Sequence, residues 1–201
     1  RTDHEDQDAV FIIKTAIFTE PPVNGVFPAI PITFEQVNEH AVSNIVIEEE
    51  HIENRTGTDW NDFHIQLIDG GSVGFDLDAT ENSGGLGPIG FSIAPFTQAQ
   101  YGFFNGDGSS GKLTQVDFFG GVIPTEGQWN PGVGVPNTLG SFSAFSGGGQ
   151  LWITTEPTGD SIFVLQEGPA MAPVPLPASV WSGLSLLGAG AVVRLIRHKL
   201  S

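Results

Sequence analysis

Apolar and polar residues alternate with a period of two in several separate stretches, the spacing of a strand with one buried face. Phe63, Ile65 and Leu67 alternate with His64, Gln66 and Ile68. Val73, Phe75 and Leu77 alternate with Gly74, Asp76 and Asp78, and Ile89, Phe91 and Ile93 with Gly90, Ser92 and Ala94. Residues 9–19, rich in Val, Ile and Phe, read as a first strand. Residues 113–119, 150–155 and 161–167 are further β-branched or apolar runs. Between them stand turn sequences: Asp69-Gly70-Gly71, Asn82-Ser83-Gly84-Gly85, Asn105-Gly106-Asp107-Gly108 and Pro157-Thr158-Gly159-Asp160. Residues 33–40 read as a short helix, and Glu48-Glu49-Glu50 as a solvated charge run. Many short strands with Gly-rich turns predict an all-β fold, a β-sandwich with a jelly roll also compatible.

Charge divides the chain. All 23 acidic residues of the 201 lie at or before Glu167, whereas three of the seven basic ones, Arg194, Arg197 and Lys199, stand in the last eight positions. The formal charge is -16 overall. The predicted organisation is an acidic β-domain over residues 1–167, a Pro/Gly linker over 168–173, and a basic-ended tail over 174–201. An acidic body repels phosphates, so nucleic acid is not a partner. Fifteen Phe and four Trp supply a core. Without cysteine there are no disulfides and no thiolate metal sites. Arg1 at the start, in place of Met, fits removal of an export signal or trimming.

Residues 178–193 are uncharged, and Leu195 and Ile196 extend the apolar run beyond Arg194. At about 1.5 Å per helical residue this nears the length needed to cross a bilayer. Trp181 suits the headgroup level, and Arg194, Arg197 and Lys199 the cytoplasmic side, which puts the acidic body outside. The fold expectation is therefore a β-sandwich followed by one C-terminal apolar helix. Val174-Pro175-Leu176-Pro177-Ala178, the apolar span and the basic end together resemble the tripartite PEP-CTERM sorting signal of Gram-negative bacteria, in a variant with Leu176 between the prolines where Glu usually stands. The resemblance implies an exosortase partner that cuts near the motif. It also implies a transient inner-membrane anchor, then a cell-surface or extracellular place with exopolysaccharide and biofilm. A second stretch, Asn54-Arg55-Thr56-Gly57-Thr58-Asp59-Trp60-Asn61-Asp62-Phe63-His64, is similar to one in the bodies of some PEP-CTERM proteins. It reads as a turn ending in a Trp anchor. Asn54-Arg55-Thr56 is also a glycosylation sequon, read here as part of that turn.

Three motif matches fail on context. Gly70-Gly71-Ser72-Val73-Gly74 lacks the strand-then-helix setting of a nucleophile elbow. Gly85-Leu86-Gly87-Pro88-Ile89-Gly90 follows turn sequence and precedes a strand pattern, not the helix of a dinucleotide fold. Residues 106–112 approach a phosphate loop, but Leu113 replaces the Ser/Thr that would hold Mg²⁺. Asp76, Asp78, Glu81 and Asn82 place four oxygen ligands on a strand end and turn, a set suited to Ca²⁺; the alternative is a solvated acidic edge. No cofactor is required by the sequence.

Trp129 in a polar Gly/Pro-rich stretch, with Tyr101 and Trp60 near turns, are candidates to stack on a sugar; the alternative is a plug over the core. Asp62 and His64 would share a strand face, with Asp59 nearby, which is a base and its orienter in a hydrolase or a wet face otherwise. The expectation is a non-enzymatic exported matrix protein. A sugar- or calcium-binding module is the alternative, and a hydrolase the remote one. Salt or Ca²⁺ would permit self-association by screening or bridging the acidic bodies.

Overall fold

The computed structural model describes residues 9–38, 40–68, 73–85, 87–103, 111–133, 135–136, 145–146, 148–155 and 162–170. The chain divides into compact units 1–171 and 172–201, and every described residue lies in the first. That unit is a β-protein of two five-stranded sheets.

One sheet has the order β1 (Ala9–Phe18), β3 (Asn44–Asn54), β11 (Leu151–Thr154), β5 (Gly74–Phe75), with β8 (Gln128–Trp129) also on β3. The other runs β2 (Ile30–Glu35), β12 (Ile162–Ala170), β4 (Trp60–Ile68), β7 (Gln115–Ile123), β6 (Gln98–Gly102), all antiparallel. A ribbon of β9 (Val135–Pro136) and β10 (Phe145–Ser146) stands apart, and α1 (Leu77–Glu81) is one short turn of helix. β1 and β3 pair in parallel. Parallel neighbours need a crossover, and here the chain visits the opposite sheet as β2 before returning.

The sheets bury one face each against the other. From the first come Ala16, Phe18, Ile45, Ile47, Ile52, Leu151 and Ile153; from the second come Phe63, Ile65, Leu67, Val116, Phe118, Phe163 and Leu165. The alternation of β4 is the one read from sequence, with Phe63, Ile65 and Leu67 inward.

Four expectations change. The described residues of 33–40 are not helical: Ile30, Ile32 and Phe34 alternate toward the core, and β2 runs to Glu35. Strand pairing ends at Phe75, because the side chain of Asp76 accepts from Ala79 N and opens α1 instead. Ile89, Phe91 and Ile93 are buried as read, but they lie in turns, and Phe91 makes an isolated bridge to Gly149. Backbones pack closely there: a Cβ on Gly85 would sit 2.0 Å from Gly90 O, and one on Gly87 1.6 Å from Phe91 O. That crowding, with no helix following, gives those glycines a packing role. Finally, β12 continues through Gly168, Pro169 and Ala170, which pair with His64, Phe63 and Asp62, so they belong to the sheet and not to a linker. Pro169 lies where β2 has already ended, the kind of position a strand proline needs.

β3 has no counterpart among the runs read from sequence. Its register against β1 shifts between Ile12 and Ile13, which pair with Ile47 and Glu49 and leave Glu48 as the extra residue. A bulge reverses the phase of alternation. Ile45 and Ile47 point inward before it, and Glu50, Ile52 and Asn54 after it. The expected solvated charge run thus sends Glu50 into the interior, where its exposure is 0%.

Candidate functional site

The aromatic candidates are core residues. Trp60 and Trp129 are 0% and 1% exposed. The ring of Trp129 packs on Phe63, Phe96 and Phe118 at 4.8, 5.0 and 5.5 Å, and its Nε1 donates to Ile93 O at 3.1 Å. Trp60 meets Phe18 at 5.2 Å. Tyr101 sits on the inward face of β6 against Phe75, at 5.8 Å. These rings seal the interior and offer no open platform to a sugar. A Trp in a polar stretch misleads because its indole N–H can be satisfied by one backbone carbonyl and then buried.

The oxygen candidates Asp76, Asp78, Glu81 and Asn82 stand on or beside α1 and not on a strand end. Asp76 is occupied as the helix cap, accepting from Ala79 N at 2.9 Å, and Asn82 Nδ2 donates to Asp78 O at 2.7 Å. A helix, unlike the strand assumed, does not hold Asp76 and Asp78 on one face. Among the described residues, no group of three or more His, Cys, Asp or Glu side chains could hold a metal ion.

The Asn54–Trp60 stretch is a buried polar knot joining the sheets. Asn54 Nδ2 donates to Thr58 O, Ile123 O and Pro124 O at 2.9, 3.2 and 3.1 Å. Its Oδ1 accepts from Thr56 N and Thr56 Oγ1, and that hydroxyl accepts from Trp60 Nε1 at 3.1 Å. Gly57, at φ +75°, supplies the left-handed step. With its amide consumed in this way, Asn54 is a buried residue at the end of β3 that ties down the following turn, and not a surface sequon.

A second polar group lies deeper. Lys14 of β1 and Glu50 of β3 are register partners, with Nζ 2.7 Å from Glu50 Oε2, and Lys14 also donates to Glu167 Oε2 of the opposite sheet. Both carboxylates are fully buried, and Oε1 of each has no hydrogen-bond partner. One ammonium thus faces two carboxylates between the sheets. Burial pushes the Glu50 carboxyl up to about 7; Lys14 pulls it down and Glu167 pushes it further up. Burial draws Lys14 downward, but the two carboxylates outweigh it and hold the ammonium above its ordinary range. The signal was present in the sequence: Lys14 interrupts an otherwise apolar strand at an inward position.

The outward face of the second sheet is polar. Asp62, His64 and Gln66 of β4 stand beside Phe119, Asp117 and Gln115 of β7, which stand beside Gln98, Gln100 and Gly102 of β6. Gln66 Nε2 donates to Gln115 Oε1 at 3.1 Å, and Gln115 Nε2 donates to both Asp117 oxygens at 2.8 and 2.9 Å. Burial and then Asp117 raise the Asp62 carboxyl to about 6. Burial lowers His64, against the pull of Asp117. Asp62 and His64 do share a face, as expected, but the carboxylate opposite the imidazole is Asp117. Asp59 is turned away to accept from Thr125 N at 2.8 Å. The alternation of Gln115, Asp117 and Phe119 against Val116 and Phe118 was legible; that β4 and β6 flank it was not.

Val174, Pro175, Leu176, Pro177, Ala178, Trp181, Arg194, Arg197 and Lys199 lie outside the described residues, as does most of the Gly70–Gly74 match. Among the described residues no helix is long and apolar enough to cross a membrane. Compared with known protein families, curated proteins and solved structures, the chain has no match.

Proposed function

We propose that this is an exported, non-enzymatic protein of the cell surface or extracellular matrix, sorted by its C-terminal segment and associated with exopolysaccharide. The observation that carries the reading is the order of three parts in the last 28 residues: Val174–Ala178 as a short Pro-rich motif, an apolar run after it, and Arg194, Arg197 and Lys199 at the end. An apolar run flanked by cations inserts with the cations inward, so the acidic body is left outside. The tail holds the substrate in the inner membrane until an exosortase-type enzyme cuts near the motif. The reading assigns no chemical step to Asp62 or His64.

Cell fractionation with intact-mass measurement tests it. Surface-released protein should end close to Pro177. Intact Ser201 in released material would refute processing, and a chain confined to the cytoplasm would refute export. Replacing Arg194, Arg197 and Lys199 together by Ser should scramble orientation, read as protease protection of the body in inverted vesicles.

A further inference from the structure

We propose that the outward face of the second sheet, centred on Phe119 with Gln66, Gln115 and Asp117 beside it, binds a neutral polyhydroxylated chain, that is, a polysaccharide without charged groups. This deepens the matrix reading and rests on it for its biological sense, while the face itself is read from geometry alone.

The first argument is the chemistry of the positions. Side chains across β4, β7 and β6 form three rows: Asp62–Phe119–Gln98, His64–Asp117–Gln100 and Gln66–Gln115–Gly102. With strands about 4.8 Å apart, each row spans about 10 Å. A sugar hydroxyl both donates and accepts, and so does a carboxamide, which makes glutamine a match for neighbouring hydroxyl pairs. The chain of bonds Gln66→Gln115→Asp117 ends on a carboxylate, which fixes the amide orientations before any ligand arrives. Phe119 is half-buried in this polar setting, and its ring can cover the C–H face of a sugar ring.

The second argument is an unmet demand. Asp62, next to Phe119, carries an enclosed Oδ1 with no hydrogen-bond partner. Such an atom costs free energy unless something supplies a donor. Asp62 as a whole is only half-buried, and its second oxygen is the acceptor that a hydroxyl arriving at the face would meet. The backbone also leaves room at one corner: nothing lies within 4 Å of a Cβ built on Gly102.

The third argument selects the occupant by charge. None of these strand positions is Lys or Arg, two are carboxylates, and the chain carries -16. Phosphate or uronate polymers are repelled by such a surface. An apolar partner would bury the polar atoms of four glutamine amides and two carboxylates unpaired, which is costly. A neutral chain of hydroxyls meets neither objection.

The test uses the full chain in a sugar-free detergent and native affinity electrophoresis through gels containing dextran, a β-glucan, a galactan or a mannan, with alginate as the anionic comparison. At least one neutral polymer should retard the protein, and alginate should not. Phe119→Ala should weaken that retardation tenfold or more, and Gln115→Ala severalfold. Ile13→Thr, on the exposed face of the other sheet, should change nothing. Gln100→Ala, at an exposed position, provides a second readout and should also weaken binding. A folded wild-type chain that no neutral polymer retards would overturn the proposal, as would retardation by alginate alone. So would Phe119→Ala and Gln100→Ala variants that bind like the parent. These outcomes are independent of where the tail is cut, so a failure here leaves the sorting reading standing, and the reverse also holds.

Discussion

β3 and β4 are consecutive central strands, one in each sheet, joined by the Asn54–Trp60 knot, yet they follow opposite rules. From Asp62 onward β4 alternates without interruption: Phe63, Ile65 and Leu67 inward, Asp62, His64 and Gln66 outward. β3 changes phase at its bulge and turns Glu50 inward with Ile47 and Ile52. β4 therefore keeps its charges where water and ligands can reach them. β3 carries a charge into the interior and relies on Lys14 from one neighbour, a cation it shares with Glu167 of the other sheet. The difference teaches that an acidic run says little about exposure until the strand phase is known. It also separates two kinds of polar residue in one domain: those that specify how the sheets stack and those free to meet a partner.

The sharpest way to break the comparison is to remove the cation. Lys14→Met leaves Glu50 and Glu167 facing each other without compensation, and should cost about 3–5 kcal/mol at pH 8 in urea unfolding. A loss below about 1 kcal/mol would mean that water reaches the carboxylates. Next comes the knot between the strands. Asn54→Ala strips hydrogen bonds from Thr58, Ile123 and Pro124 carbonyls and should cost about 2–3 kcal/mol by the same measurement.

A smaller effect lies in pH. The Glu50 carboxyl has an ordinary value of 4.5 and rises to about 7 in the fold, so the folded state holds that proton more tightly. Its contribution is complete below the unfolded value and is lost as pH climbs through about 7. Asp62, raised from 3.8 to about 6, acts in the same direction over a lower window. His64, lowered by burial, opposes them, since its contribution is present above 6.5 and lost on acidification. With Glu50 the most buried of the three, urea midpoints should fall between pH 5 and pH 8 by an amount equivalent to roughly 1–2 kcal/mol. Glu50→Gln should flatten that slope and leave Lys14 and Glu167 as a matched pair. A slope unchanged by Glu50→Gln would assign the pH dependence to Asp62 or to overall repulsion. The smallest effect belongs to the outward face of the second sheet: Gln100→Ala should move stability by less than about 0.5 kcal/mol, which separates binding positions from folding positions.

Several features were legible in single residues. The inward set of β4 follows from alternation alone, and β7, β11 and β12 were legible as apolar or β-branched runs. The knot was legible as a turn because Gly57 and the Trp60 anchor mark it. The helix cap at Asp76 was not, because Val73-x-Phe75-x-Leu77 alternates as well as any strand, and only the capping bond to Ala79 decides otherwise. Which of its two alternatives Trp129 follows was hidden for a related reason. Its flanking Asn, Pro and Gly describe the backbone path, while the ring's direction depends on Phe63, Phe96 and Phe118, distant in sequence. Of the outward polar face, Asp62 and His64 were visible as a pair, but Asp117 and Gln115 entered only through strand pairing.

By itself the sequence determined the class of fold, the inward residues wherever alternation ran unbroken, and the division between an acidic body and a basic-ended apolar tail. These depend on local periodicity and composition, which every window of the chain carries. The tertiary structure alone decided the parallel pairing of β1 with β3, the phase reversal that buries Glu50, its meeting with Lys14 and Glu167, and the assembly of the outward face from three strands. Each of these depends on which strand lies beside which. Register between distant strands is set by the packing of two whole sheets, and no local window contains it.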